Sequence, residues 1–129
     1  MNPPKLSLSV LPEQFAVCRL EANARIPEWA MSEGIFSAIT RTRDELSIVC
    51  PQEIVPEEVK TEKDWKALKV EGPLDFSLTG ILASLAKPLA EARISIFAIS
   101  TFDTDYVLVK SEKLEEAVKI LGTFCNIKS

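Results

Sequence analysis

A chain of 129 residues with 47% hydrophobic and 26% charged side chains can bury a real core, which excludes disorder, collagen-like repeats and a disulfide scaffold. Fifteen Lys and Arg against nineteen Asp and Glu give a formal charge of −4, so nucleic acid is an unsuitable partner. No apolar run reaches the roughly 18 residues of a membrane helix, and Met1-Asn2-Pro3-Pro4-Lys5 lacks the basic-then-apolar order of a signal peptide, so a cytosolic protein is expected.

Residues 5–11 alternate apolar and polar and predict a strand with one buried face. A second β-like run spans 15–20, and Pro27 is placed to open a one-turn helix over about 27–32. Residues 35–40 and 45–50, separated by the polar turn 41–44, predict a hairpin. From Gln52 to Lys66 the chain is acidic and broken by Pro56, with at best a short helix at 56–60, and this is read as the joint between halves.

In the second half, 67–71 alternate as a strand that stops at Gly72-Pro73. Leu78, Ile81, Leu82, Leu85, Ala86, Leu89 and Ala90 form the stripe of a helix packed on one face, with Asp75 or Ser77 as its cap and Pro88 bending its last turns. Residues 94–100 and 105–110 predict a second hairpin about the turn 101–104, and its second strand is apolar enough to be covered on both faces. Ser111 is placed to cap a final helix whose buried stripe is Leu114, Ala117, Val118 and Leu121, Gly122 suits its end, and a short strand follows near 124–128.

A shift of 60 positions lays Ala38-Ile39-Thr40 on Ala98-Ile99-Ser100, Glu45 on Asp105 and Val49 on Val109, which indicates a duplication. The second copy runs strand, helix, strand, strand, helix, strand, the split βαβ pattern. In the first copy both helices are worn down. Seven firm strands stand where two full units want eight, so residues 5–10 are a candidate for exchange between the halves.

What is missing removes much chemistry. There is no histidine, hence no Ser-His or Cys-His nucleophile and no imidazole for zinc. Cys18, Cys50 and Cys125 are widely spaced in apolar surroundings and read as buried reduced thiols. The glycines at 34, 72, 80 and 122 match no phosphate-binding fingerprint. Asp103 and Asp105 lack a third ligand for a metal. Neither a cofactor nor a metal is expected.

The run from Gly72 to Val109, with its Thr79-Gly80-Ile81 and its Ser100-Thr101-Phe102 followed by Asp105, resembles an ACT domain, and so more weakly does Ser37-Ala38-Ile39-Thr40 through Val49. The similarity is to the tandem ACT proteins related to aspartate kinase regulatory regions and the CASTOR arginine sensors, over most of residues 10–122. It implies an α+β protein of two tandem ferredoxin-like (βαββαβ) ACT units, the first degenerate (1–62) and the second complete (63–129). It also implies amino-acid ligands at the seams between units.

On the residues alone, Asp75 to Ile81 admits two readings: a capped helix with a packing glycine, or a helix N-terminus whose free amides receive an α-carboxylate. The resemblance places Thr79 and Gly80 on the family's binding turn, with Phe76 and Ile81 beside it. In the loop 100–105, turn duty is the ordinary reading. By resemblance Asp105 matches the acid that meets a ligand's cationic group, Thr101 and Phe102 match positions whose backbone lines the pocket, and Ser100 and Asp103 flank them. In the first copy Arg41 and Arg43 stand in the places of Thr101 and Asp103, either as solvated turn residues or as carboxylate readers. Ser37, Ile39 and Thr40 are candidates to line a site opposite the second copy. Trp29 and Trp65 read as packing anchors.

The expected function is a non-catalytic sensor or regulatory protein, dimeric, binding an amino acid and acting on a protein partner by linkage. A structural or partner-binding module with a vestigial pocket is the alternative. An acylphosphatase-like enzyme is the remote one.

Overall fold

The computed structural model describes residues 6–31, 34–71 and 80–128. Among them are eight strands, β1 (Leu6–Val10), β2 (Phe15–Leu20), β3 (Ala38–Arg41), β4 (Leu46–Pro51), β5 (Lys60–Val70), β6 (Ile96–Ser100), β7 (Asp105–Lys110) and β8 (Cys125–Lys128), and two α-helices, α1 (Ile81–Glu91) and α2 (Leu114–Leu121). The chain divides into two compact units: Glu13–Trp65, and the described residues up to Pro12 together with those from Lys66 onward.

In the Glu13–Trp65 unit the strand order is β3-β4-β2-β5, with β2 antiparallel to both neighbours. Along the chain this is strand, turn, strand, strand, turn, strand, the βαββαβ order with each helix reduced to one 3-10 turn, Glu28–Ala30 and Gln52–Ile54. Pro27, extended at φ −68° and ψ 149°, stands directly before the first. Ala16, Cys18, Ala30, Leu46, Ile48 and Cys50 form the core, and Trp29 packs against it from the 3-10 turn as an anchor. Phe15 and Phe36 meet edge to face at 5.6 Å.

The other unit runs β5, α1, β6, β7, α2, β8, with strand order β8-β1-β5-β7-β6. Strand β1 lies between β5 and β8, antiparallel to the first and parallel to the second, with Leu8 opposite both Val70 and Ile127. Leu8 is 1% exposed, in one core with Leu68, Val70, Leu85, Leu89 and Val109. Burying a leucine of this kind is worth about 2 kcal/mol, which explains why β1 pairs here and not with the residues that follow it. The division expected at residue 62 keeps residues 5–11 with the first half; the observed unit takes β1 in with the second. Val107, Leu108 and Val109 are all buried, as the apolar run of β7 requires.

Three local expectations change. Residues 60–66 are not broken but part of an eleven-residue β5, although the boundary between the units, Trp65 to Lys66, does fall in the stretch expected to join the halves. The alternation of 60–66 is hidden by a bulge: the pairing with β2 slips between Phe15 and Val17, and Asp64 sits at φ 66°. Gln52 secures it, accepting the Asp64 amide at 2.7 Å and donating to its Oδ1 at 3.1 Å. Secondly, Ser111 opens a 3-10 turn, Ser111–Lys113, that leads into α2, so Lys113, which makes no side-chain cap bond, stands at the start of the helix. Thirdly, Gly122 follows α2 at φ −63°, right-handed, and a Cβ there would come 2.9 Å from the Val118 carbonyl. Close approach, and not a left-handed turn, is what favours glycine. The expected caps Asp75 and Ser77 lie outside the described residues.

Candidate functional site

The candidate residues of the second unit gather at one end of it. Residues 92–95 turn the chain back from α1 into β6, so the start of α1 and the end of β6 lie on the same side. The β6–β7 turn is fixed there by Thr104. This residue is 6% exposed, the one buried polar side chain among the described residues, and its Oγ1 donates to the carbonyl of Val70 at 2.6 Å, the last residue of β5. Within the turn, the Thr101 amide donates to the Thr104 carbonyl at 2.7 Å, and the Thr104 amide donates back to Thr101 Oγ1 at 3.2 Å.

Ser100 and Asp105 are the last cross-strand pair before this turn, and the Ser100 hydroxyl donates to Asp105 Oδ1. Asp105 is half-buried, while Thr101, Phe102 and Asp103 are exposed. Phe102 is 79% exposed. One carboxylate, oriented by a hydroxyl and partly shielded from water, is suited to a cationic group.

At the start of α1, Gly80 holds φ 77°, and a Cβ there would meet nothing within 4 Å. Its backbone conformation, not crowding, is what favours glycine. The first intrahelical bond observed runs from the Ser84 amide to the Gly80 carbonyl at 2.9 Å, and first-turn amides of a helix are the groups the ladder leaves for anions. Ile81 packs against the core, so its side chain belongs to the helix seat. Phe76 and Thr79 lie outside the described residues.

Ser37, Ile39 and Thr40 belong to the other unit. Ile39 pairs with Ile48 and Thr40 with Ser47; both are exposed, and Ser37 is half-buried. Here the structure corrects the alignment of the copies. The first hairpin closes at Arg41↔Leu46 and the second at Ser100↔Asp105, an offset of 59 and not 60. Thr42 therefore matches Thr101, and it makes the same bonds: its amide donates to the Glu45 carbonyl at 2.9 Å and its Oγ1 accepts the Glu45 amide at 3.1 Å. Asp44 matches Asp103, Arg41 matches Ser100 and Arg43 matches Phe102. The counterpart of Asp105 is Leu46, 0% exposed, and not Glu45. Arg41 donates from Nη1 to the Ala22 carbonyl and from Nη2 to that of Ala24 at 2.8 Å, both on the loop that follows β2.

Sequence reasoning missed Thr104. Its signal is a threonine at the end of a hairpin turn between two acids, where a solvated turn residue is the usual assumption. Among the described residues no three His, Cys, Asp or Glu side chains group as metal ligands, and no helix is long and apolar enough to cross a membrane.

With this geometry in place, the ACT domain model matches residues 60–123, from the first residue of β5 through the end of α2. A second model, of an N-terminal domain, matches residues 13–58, within the other unit. Residues 60–123 belong to the ACT-domain family. An Agobacterium tumefaciens protein of known crystal structure is 40% identical, with a TM-score of 0.90 over 97% of this chain and 93% of its own. The human cytosolic arginine sensor for mTORC1 subunit 1 is 40% identical over 58 residues, 44% of this chain, and the match spans 18% of that relative's length. Aspartokinase alpha and beta subunits share the fold, with a TM-score of 0.66 at 16% identity over 93% of this chain and 97% of theirs.

Proposed function

We propose that this ACT protein is a non-catalytic regulator that binds a free amino acid, works in the cytosol as a homodimer, and passes the binding event to a protein partner. The observation that supports the reading is the half-buried Asp105 carboxylate, oriented by Ser100 and placed at the same end of its unit as the first turn of α1. A zwitterion needs those two poles: its amine or guanidinium meets Asp105, and its carboxylate meets the amides beyond Gly80. Thr79 and the backbone of Thr101 and Phe102 complete the contact set. Binding acts by favouring one conformation over another, by as much as the ligand's affinity differs between them.

Two features direct the first ligands to try. The arginine-sensor relative is named for a cationic amino acid, and Asp105 offers one negative charge. Titration calorimetry and thermal shift across the twenty common amino acids are expected to find at least one binder. Asp105→Ala is expected to weaken that binding at least tenfold while leaving the melting temperature of the free protein nearly unchanged. Silence across all twenty at millimolar concentration, or undiminished binding by the variant, overturns the reading.

A partner-binding module is the second reading, favoured by Phe102, which stands 79% exposed at the tip of the β6–β7 turn. Capture of one specific protein that Phe102→Ser abolishes and no amino acid affects supports that alternative.

A further inference from the structure

Cys18 on β2 and Cys50 on β4 lie on adjacent antiparallel strands. Cys18 is opposite Ile48, and Cys50 is opposite Ala16. Directly opposed residues share a face, as do residues two apart on a strand, so the two thiols are diagonal neighbours on one side of the sheet. Both are within the same core, at 1% and 0% exposure. They hydrogen-bond to each other, Cys50 donating to Cys18, and the Thr61 hydroxyl donates to Cys18 Sγ at 3.8 Å. Cys125, the third thiol, belongs to the core of the other unit.

Two donors aimed at one sulfur favour its thiolate: the bond from Cys50 lowers Cys18 to about 7 against burial, and the same bond, with burial, pushes Cys50 up. The cover over this pair is thin. Besides Leu20 of β2, the partly buried residues packed against this core are Ala24, Trp29, Ile54, Val55 and Val59, and these five sit on loops and single 3-10 turns with no α-helix among them. Segments of that kind open locally far more easily than a packed helix does.

From this geometry we propose that Cys18 and Cys50 are a modification site: they form a reversible disulfide when the protein meets a peroxide. The Cys18 thiolate attacks one peroxide oxygen, the O–O bond breaks, and the departing hydroxide takes a proton and leaves as water, giving a sulfenic acid at Cys18. The Cys50 sulfur then displaces hydroxide from the Cys18 sulfur, and the Cys50 proton completes the second water. Two thiols and one hydrogen peroxide become one disulfide and two waters, so the pair loses two electrons and the peroxide gains them. A dithiol reverses the change by exchange. The bond ties β2 to β4 across the hairpin between them.

The folded full chain is treated with hydrogen peroxide, quenched, denatured and alkylated, then weighed intact and mapped after digestion. Alkylatable thiols are expected to fall from three to one, with a linked Cys18–Cys50 peptide that dithiothreitol releases and a raised melting temperature. Cys125→Ser is expected to form the same link. In Cys50→Ser, Cys18 is expected to stop at a sulfenic acid that dimedone traps. Three thiols still alkylatable in the wild-type chain, or a link through Cys125 or between chains only, overturns the proposal. Neither result bears on amino-acid binding at Asp105.

Discussion

The two hairpins close on the same turn and differ at its base. Both close four residues with a threonine at the first position, Thr42 in one and Thr101 in the other, bonded to the fourth residue in the same way. Beyond that turn the first copy carries Leu46 in the core and the second carries Asp105 half in water. The local hydrogen bonds that shape a turn are indifferent to what stands next to it. The chemistry available at its base differs between the two hairpins while the hydrogen bonds of the turn are the same.

The sharpest test of that contrast exchanges the two residues. Leu46→Asp should destabilise the protein by about 4 kcal/mol in urea denaturation, since a carboxylate at a fully buried apolar position is left unpaired or must neutralise. Asp105→Leu, at the equivalent position, should stay within about 1 kcal/mol. The next largest effect belongs to the residue that pins the second turn. Thr104→Val should cost about 1.5 kcal/mol by leaving the Val70 carbonyl without its donor, whereas Glu45→Val, at the matching position of the first hairpin, should cost about 0.5 kcal/mol or less.

Gly80→Ala should cost about 1 kcal/mol through backbone strain alone, with Gly80→Asn costing less, because asparagine tolerates the left-handed region. Equal losses for the two would mean that space, not conformation, is limiting.

A dependence on pH follows as well. Cys18 ionises near 7 in the folded protein and at 9.0 in the unfolded chain, held down by the bond from Cys50 and helped by Thr61. Between those values the unfolded chain holds a proton that the folded protein has released, so stability rises with pH. Above 9.0 the unfolded chain has lost both thiol protons while Cys50, pushed up by the same bond, keeps its own, and stability falls. Cys18→Ser should flatten the rise in urea midpoints measured from pH 6 to 9.

Strand β7, α1 and α2 were readable in the residues because one force, apolar burial, sets their period. The first half of β5 was not, since Asp64 adds one residue and reverses the faces in a stretch whose other side chains, Glu62 and Lys63, are exposed. The copy alignment failed by one place for a related reason. Alternating strands tolerate several shifts, and only the bonds of Thr42 and Thr101 select among them. At the candidate site Ser100, Asp105 and Gly80 were legible as residue types with known chemistry. Thr104 was not, because its value comes from a strand end 34 residues away.

Strand β1 has a bearing on how the molecule is made. Leu6 to Val10 leave the ribosome ahead of both their neighbours, yet they pair only with β5 and with β8, where Leu6 lies beside Cys125. A nascent chain must hold this apolar segment unpartnered until β5 has emerged, and its other edge open until β8 follows, and pairings of such long span are slow to form. Chaperone dependence during translation should therefore fall on Leu6 to Val10, and a version that carries these residues after β8, on a linker long enough for the crossover two parallel strands need, should fold with less of it.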